Sequence, residues 1–284
     1  MILLNGKEVE FKTFPNGETL FKKDGLKMQP YNFISFKYEN DSDLIKLMLL
    51  KSYIDQYTVK NNLIIYYMPY SRMDRSEDGS PFTLKYVANF INGLKFDYVE
   101  VIEPHSDVTC AVLDRSHANM VNFKLLPKVM EKIGFHPSYD YVVFPDAGAG
   151  KRYGKILAPN ILIGSKKRDF TTGTITGLDL IGHIDTTYGK KAIIVDDLSS
   201  YGTTFVETSK ALREKGVEKV YLLVAHAENS VFKPHPATKV LLLDHIDHLY
   251  TTDTILTDHK ANWNTASMID KVTVYDIEEV LKDA

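Results

Sequence analysis

Cysteine occurs once among these 284 residues, as Cys110, so the chain has no internal disulfide and no cysteine zinc site, which suits a reducing, cytoplasmic setting. No apolar run reaches the ~18 residues of a membrane span, and the amino terminus lacks a basic segment followed by a hydrophobic stretch, so neither membrane insertion nor secretion is expected. Broad positive charge is missing as well. Lys and Arg number 34 against 37 Asp and Glu, a formal net charge of −3, so a nucleic-acid surface is disfavoured and any polyanion bound is small. Short-period repeats and low-complexity tracts are absent, as are a Gly-x-x-x-x-Gly-Lys-Ser/Thr phosphate loop and any strong Ser–His–Asp or Cys–His arrangement. What is present, 44% hydrophobic and 25% charged residues, is the composition of a folded globular chain.

Its length accommodates two α/β domains of ordinary size. Apolar runs at 63–67, 98–102, 141–144, 161–163, 192–195, 220–225 and 240–243 read as strands, and helical patterns at 44–54, 83–94, 125–133 and 205–215 lie between several of them. The alternation predicts α/β architecture with parallel sheets flanked by helices. Gly134 and Pro137 interrupt helix after 125–133, which puts the expected division at 1–135 and 136–276, with a terminal helix at 277–284 returning to the first half.

Polar clusters fall beyond the carboxyl ends of these runs. Met68 to Arg75 follows the first, Glu103 to Asp107 the second, Pro145 to Arg152 the third and Gly164 to Arg168 the fourth. Ligands of open α/β sheets collect at those ends, so a shared cleft is expected, although loops are polar for simpler reasons too. The fullest example is 191–204, an apolar strand running into Asp196, Asp197, Leu198, Ser199, Ser200, Tyr201, Gly202, Thr203 and Thr204 before a helix. Carboxylates suit sugar hydroxyls, and backbone N–H groups at a helix start suit phosphate, so a ribose phosphate would fit there. An ordinary strand-to-helix loop with solvated acids remains the plainer alternative.

Taken in order, Phe14 to Glu18, Pro69 to Arg75, Pro81 to Asn89, His105, Pro145 to Arg152, Lys166 to Arg168, Asp196 to Thr204 and His226 resemble the phosphoribosyl pyrophosphate synthetases, or ribose-phosphate pyrophosphokinases, over nearly the whole chain. The resemblance implies two Rossmann-like domains of the type I phosphoribosyltransferase fold. It also implies magnesium-dependent transfer of the β,γ-diphosphate of ATP to the anomeric hydroxyl of a ribose 5-phosphoryl acceptor, with release of AMP. By the same resemblance Arg72 and Asp74 bind ATP, and Phe14, Asn16 and Glu18 reach the nucleotide of a neighbouring subunit, so a homo-oligomer is expected. His105 and Asp146 stand where the family holds magnesium, and Gly148, Ala149, Gly150 and Lys151 where it cradles pyrophosphate. Lys166 and Arg168 match its mobile catalytic pair, and Asp196, Asp197 and Ser199 to Thr204 its acceptor loop.

Two departures stand out. Met73 replaces the usual glutamine beside Arg72, and the acceptor loop carries Ser200 and Tyr201 with its glycine one place early, at Gly202. A tyrosine there offers a face on which a base stacks. That favours ADP-ribose as acceptor, giving ADP-ribose pyrophosphate for NAD synthesis, as in a viral branch of the family that would act in the host cytoplasm. Ribose 5-phosphate is the alternative. A phosphoribosyltransferase, which needs no ATP, and a non-catalytic regulatory homologue are the other readings.

Overall fold

The computed structural model describes residues 1–57, 59–168, 175–184, 190–256 and 270–282, with backbone alone for 166–168 and 175–177. The chain divides into two compact units, Met1–Met120 and Val121–Ala284.

In the first unit β1 (Ile2–Leu4) and β2 (Lys7–Glu8) make one hairpin, and β3 (Phe11–Thr13) and β4 (Thr19–Phe21) a separate one. There follow β5 (Tyr31–Phe36), α1 (Ser42–Ile54), β6 (Lys60–Ile65), α2 (Thr83–Gly93), β7 (Tyr98–Ile102), α3 (Asp107–Val112) and β8 (Ser116–Asn119). The sheet order is β2-β1-β5-β6-β7-β8, with β5 to β8 parallel. Strand side chains alternate between faces, which brings Ile34, Phe36, Leu63 and Ile65 into one core with Leu47, Leu50 and Ile54 of α1 and Leu84, Ala88 and Ile91 of α2. Each fully buried leucine, isoleucine or phenylalanine among them contributes about 1.5–3 kcal/mol. Asn32 is tolerated within β5 because its amide is satisfied: its Oδ1 accepts from Asn5 Nδ2 (2.9 Å) and Gln29 N–H (3.0 Å), and its Nδ2 donates to Gln29 O (3.0 Å).

The second unit contains α4 (Asn122–Ile133), β9 (Tyr141–Phe144), α5 (Ala147–Arg152), β10 (Ile161–Arg168), β11 (Ile175–Ile181), β12 (Lys190–Ser199), α6 (Thr203–Glu214), β13 (Val217–Ala227), β14 (His248–Thr252), β15 (Val272–Tyr275) and α7 (Ile277–Lys282). Its sheet order is β11-β10-β9-β12-β13-β14-β15, parallel except for β10 with β11. All four residues of β9 are buried, as a central parallel strand requires.

Several expectations change. The division falls at 120/121 instead of 135/136, because α4 is tied at both ends to β12 of the second unit. Asn122 Nδ2 donates to Asp196 O (2.8 Å), and Lys191 Nζ donates to the carbonyls of Ile133 and Gly134 (both 2.7 Å). The terminal helix α7 also belongs to the second unit, where Ile277 N–H donates to Asp253 Oδ1 (2.9 Å). The apolar run at 240–243 is not a strand; it leads into a 3₁₀ turn, Leu242–Asp244, whose leucines are buried. Finally, β10 continues through Lys166–Arg168, because β11 returns antiparallel beside it and pairs Lys166 with Leu178 and Arg168 with Ile175. Those residues therefore lie on a strand and not in a loop.

Candidate functional site

Each unit carries a cluster of polar groups beyond the carboxyl ends of its parallel strands. In the first unit a cleft of about 710 Å³ lies between the chain leaving β6 and the chain leaving β7, lined by Tyr70, Arg72, Met73, Asp74, Arg75, Glu77, Ser80, Pro81, Thr83 and His105. That size suits a drug- or nucleotide-sized ligand. Two non-glycine residues with left-handed φ, Tyr70 (61°) and Glu103 (41°), turn these two segments out of the sheet. Such backbone costs of order 1–3 kcal/mol per residue and persists where neighbours hold it. Tyr70 is held by its hydroxyl, which donates to Asp41 Oδ1 at 2.6 Å alongside that of Tyr38, also at 2.6 Å.

Asp74 is not a solvated turn residue. Its side chain is 4% exposed, with Oδ2 accepting from Ser106 Oγ (2.6 Å) and Oδ1 from Arg75 Nε (3.0 Å). Burial pushes its carboxyl up, but the Ser106 hydroxyl and the Arg75 and His105 charges outweigh that and hold it below the ordinary carboxylate range. Asp74 thereby stitches the two lining segments together, and the exposed Arg72 and Met73 stand on the segment it fixes. Phe14, Asn16 and Glu18 sit apart, at the tip of the β3–β4 hairpin, all exposed, with Phe14 at 46%. The tip closes through Gly17 N–H to Phe14 O (2.8 Å) and Glu18 N–H to Asn16 Oδ1 (3.2 Å).

In the second unit the connection from β9 runs to β10 on one side, while the connection from β12 runs to β13 on the other. Neighbouring strands whose connections diverge open a crevice at their carboxyl ends, and here those strands are β9 and β12. Beyond β9, Asp146 caps α5: its Oδ1 accepts from Ala149 N–H at 2.9 Å. Gly148, Ala149, Gly150 and Lys151, expected as an open loop, form this six-residue helix, because the capping carboxylate and small side chains close the turn. A Cβ on Gly164 would lie 2.2 Å from Pro145 O, so β10 passes this loop at a distance that only glycine permits.

Beside it, β12 is longer than its apolar run. Its ladder with β13 continues through Asp196↔Val224, Leu198↔His226 and Ser199↔Ala227, so both acids stand on the sheet and not in the loop. Arg152, at the end of α5, spans them: Nη1 donates to Asp196 Oδ1 (3.0 Å) and Asp197 Oδ1 (2.5 Å). Burial pushes the Asp196 carboxyl well above its ordinary range, the Asp197 charge adds to that, and Arg152 opposes it. Burial also disfavours the Arg152 charge, but Asp197 and Asp196 prevail and its pKa lies above the ordinary value.

Past the ladder, Ser200, Tyr201 and Gly202 make the turn into α6, which starts at Thr203 and Thr204; Gly202 takes a left-handed φ of 75°. The segment after β13 braces this turn. Ser230 Oγ lies 3.1 Å from Ser200 Oγ and donates to Glu228 Oε2 (3.2 Å), and the His235 ring meets Tyr201 edge-on at 5.3 Å. His226 is buried, its Nδ1 2.8 Å from Thr254 Oγ1.

The structure thus brings Arg72, Asp74 and His105 to one cleft of the first unit, and Asp146, Gly148 to Lys151, Asp196, Asp197 and Ser199 to Thr204 to the β9/β12 ends of the second. The side chains of Lys166 and Arg168 and the segment 169–174 lie outside the described residues. Among the described residues no three His, Cys, Asp or Glu side chains converge as a metal cluster. Sequence reasoning gave Arg152 only positive charge at the end of the pyrophosphate-cradling cluster and Ser106 only a place beside the expected magnesium position, and it assigned no role to Gly164, Glu228, Ser230 or His235. Of these, Gly164 had a readable signal, a glycine between an apolar strand and a basic cluster. The others depend on contacts between segments distant in sequence.

Comparison with known proteins adds the following. A family model described as the phosphoribosyl synthetase-associated domain matches residues 173–284. The chain is 29% identical over 285 residues to the ribose-phosphate pyrophosphokinase of Sulfolobus acidocaldarius, covering 96% of this chain and 89% of the relative. It is 27% identical over 258 residues to that of Thermococcus kodakarensis, covering 88% and 86%. A crystal structure of phosphoribosylpyrophosphate synthetase from Mycobacterium smegmatis superposes with a TM-score of 0.72 at 18% identity, covering 96% of this chain and 87% of that one, which establishes the shared fold.

Proposed function

We propose that this chain, a relative of the ribose-phosphate pyrophosphokinases along nearly its whole length, is a diphosphotransferase that moves the β,γ-diphosphate of ATP to the anomeric hydroxyl of ribose 5-phosphate. The observation that carries this reading is the acid pair fixed on β12 at the diverging strand ends, followed directly by a hydroxyl-rich turn and a helix start. Carboxylates accept hydrogen bonds from the ribose 2- and 3-hydroxyls, while the backbone of 200–204 and the hydroxyls of Ser199, Ser200, Thr203 and Thr204 meet the 5-phosphate.

ATP takes the cleft of the first unit, where Arg72 offers a planar cation for phosphate or adenine and Asp74 holds the lining in shape. The anomeric oxygen attacks the β-phosphorus in line, the bond from that phosphorus to the α,β-bridging oxygen breaks, AMP leaves and the anomeric proton is released. Lys166 and Arg168 neutralise charge on the transferring phosphates. Asp146 and His105 are the candidate residues to hold magnesium, which bound with ATP would supply further charge neutralisation and would need only one or two protein groups. The exposed Phe14–Glu18 tip is the candidate contact with a neighbouring copy.

The relatives are named for ribose phosphate, so the preference for ADP-ribose read from the acceptor turn finds no support among them. ADP-ribose stands as a second reading on one observation, the half-buried Tyr201 ring set beside His235 at the acceptor turn. Incubation of the purified chain with magnesium and ATP plus either acceptor, with AMP and the sugar product quantified, tests both. AMP formed with ribose 5-phosphate is the expected result. AMP formed with ADP-ribose alone reverses the order of the two, and AMP formed with neither refutes the function.

A further inference from the structure

Arg152 is the last residue of α5, and its side chain, 15% exposed, ends between two acids. A single nitrogen, Nη1, reaches Oδ1 of both carboxylates. Asp196 Oδ1 also accepts the Asp197 backbone N–H at 2.9 Å, so one oxygen of that carboxylate is committed within the protein. Adjacent carboxylates repel, and the repulsion is relieved by a proton or a cation held between them. Fastening α5 to the sheet does not by itself call for an arginine. Asp146 caps the helix, and the following Tyr153 is buried with its ring against Phe144 (6.1 Å) and Phe123 (6.1 Å). The β12 end is held separately, through Asn122 Nδ2 on the Asp196 carbonyl.

We propose that Arg152 is a positioning residue for the sugar subsite: by gripping one oxygen of each carboxylate it fixes the spacing at which Asp196 and Asp197 meet the acceptor's hydroxyls. It acts through the two acids and not on the phosphates. The inference rests on the pyrophosphokinase reading and adds a residue to it.

Initial rates are measured for the full chain and for Arg152→Lys and Arg152→Met, with ribose 5-phosphate and magnesium–ATP varied in turn. Arg152→Met is expected to raise the acceptor KM about tenfold or more while the ATP KM stays within about twofold. Arg152→Lys recovers part of the loss, since a point cation reaches the same oxygens without the planar fork. Combining Arg152→Met with Asp197→Asn removes the repulsion, so the double variant is less impaired than the two single effects predict. Should Arg152→Met not fold, the lysine variant carries the comparison, with an acceptor KM raised about threefold and the ATP KM unchanged. An ATP KM that rises as much as the acceptor KM, or an unchanged acceptor KM in a folded variant, overturns the inference. Calorimetric titration with ribose 5-phosphate separates the two levels of failure. Wild-type protein that binds the sugar phosphate but forms no AMP defeats the catalytic reading, whereas variants that bind it as tightly as wild type defeat only the role of Arg152.

Discussion

Replacing Gly164 with alanine is the sharpest test of how the second unit's crevice is built. The added Cβ would stand 2.2 Å from Pro145 O and 2.8 Å from Pro145 C, against the 3.0 Å below which real Cβ atoms essentially never come. Both partners are backbone, so no rotamer relieves the overlap. Either β10 slides along β9, where Ile163 pairs with Phe144, or the Pro145–Asp146 segment moves outward and takes the α5 cap with it. Overpacking of this kind costs about 1–3 kcal/mol, and a backbone clash belongs at the upper end. For a chain of this size that lowers Tm by roughly 2–4 °C per kcal/mol. Urea unfolding followed by circular dichroism measures it, with Gly93→Ala as control. Gly93 ends α2 with nothing within 4 Å of an added Cβ, so its substitution is neutral or slightly stabilising. If Gly164→Ala unfolds at the wild-type midpoint, the close approach of β10 to the loop is wrong, and with it the placement of Asp146.

The acceptor and nucleotide sides yield further tests. Asp74→Ala strands the Ser106 hydroxyl and unpins the cleft, so stability falls by about 1–3 kcal/mol in denaturant titration and the ATP KM rises. Lys166→Ala lowers kcat by about 10²–10³-fold while ATP affinity, measured by equilibrium binding, changes far less; unchanged turnover removes Lys166 from its role. Burial pushes Asp247 up, but Lys219, the Val220 N–H and Arg213 outweigh that and hold its pKa below the ordinary carboxylate value. A depressed folded pKa contributes stability that is present above the unfolded value and lost as pH falls through the folded one. Below about pH 4, wild type therefore loses stability more steeply than Asp247→Asn.

The architecture was legible in the sequence because central parallel strands bury both faces. The run at 141–144 coincides with β9 for that reason, and 98–102 with β7 because Val99, Val101 and Ile102 are buried. Polar strands hid. β14 is not among the expected strands; its Thr251 and Thr252 are fully buried because their hydroxyls bond to the Ala225 carbonyl (3.4 and 2.7 Å). Likewise β5 contains Asn32, whose side chain is satisfied by the backbone of Gln29 and by the distant Asn5. The run at 240–243 misled in the opposite sense, since its leucines pack into the core from a turn, with Leu242 against Gly202. At the site, Asp196, Asp197 and Asp146 were recognisable from their place after apolar strands. The grip of Arg152 on the acids was not, because nothing local to Gly150-Lys151-Arg152 says where that side chain ends.

The ladder between β12 and β13 runs through Ser199, and Ser200 to Gly202, the residues that depart from the pattern the chain resembles, begin where it stops. Frame and fitting are thus separate parts: the register of Asp196 and Asp197 is set by the ladder and not by the turn at 200–202. Selection, or a loop graft in the laboratory, is free to retune the turn while the acid pair keeps its coordinates.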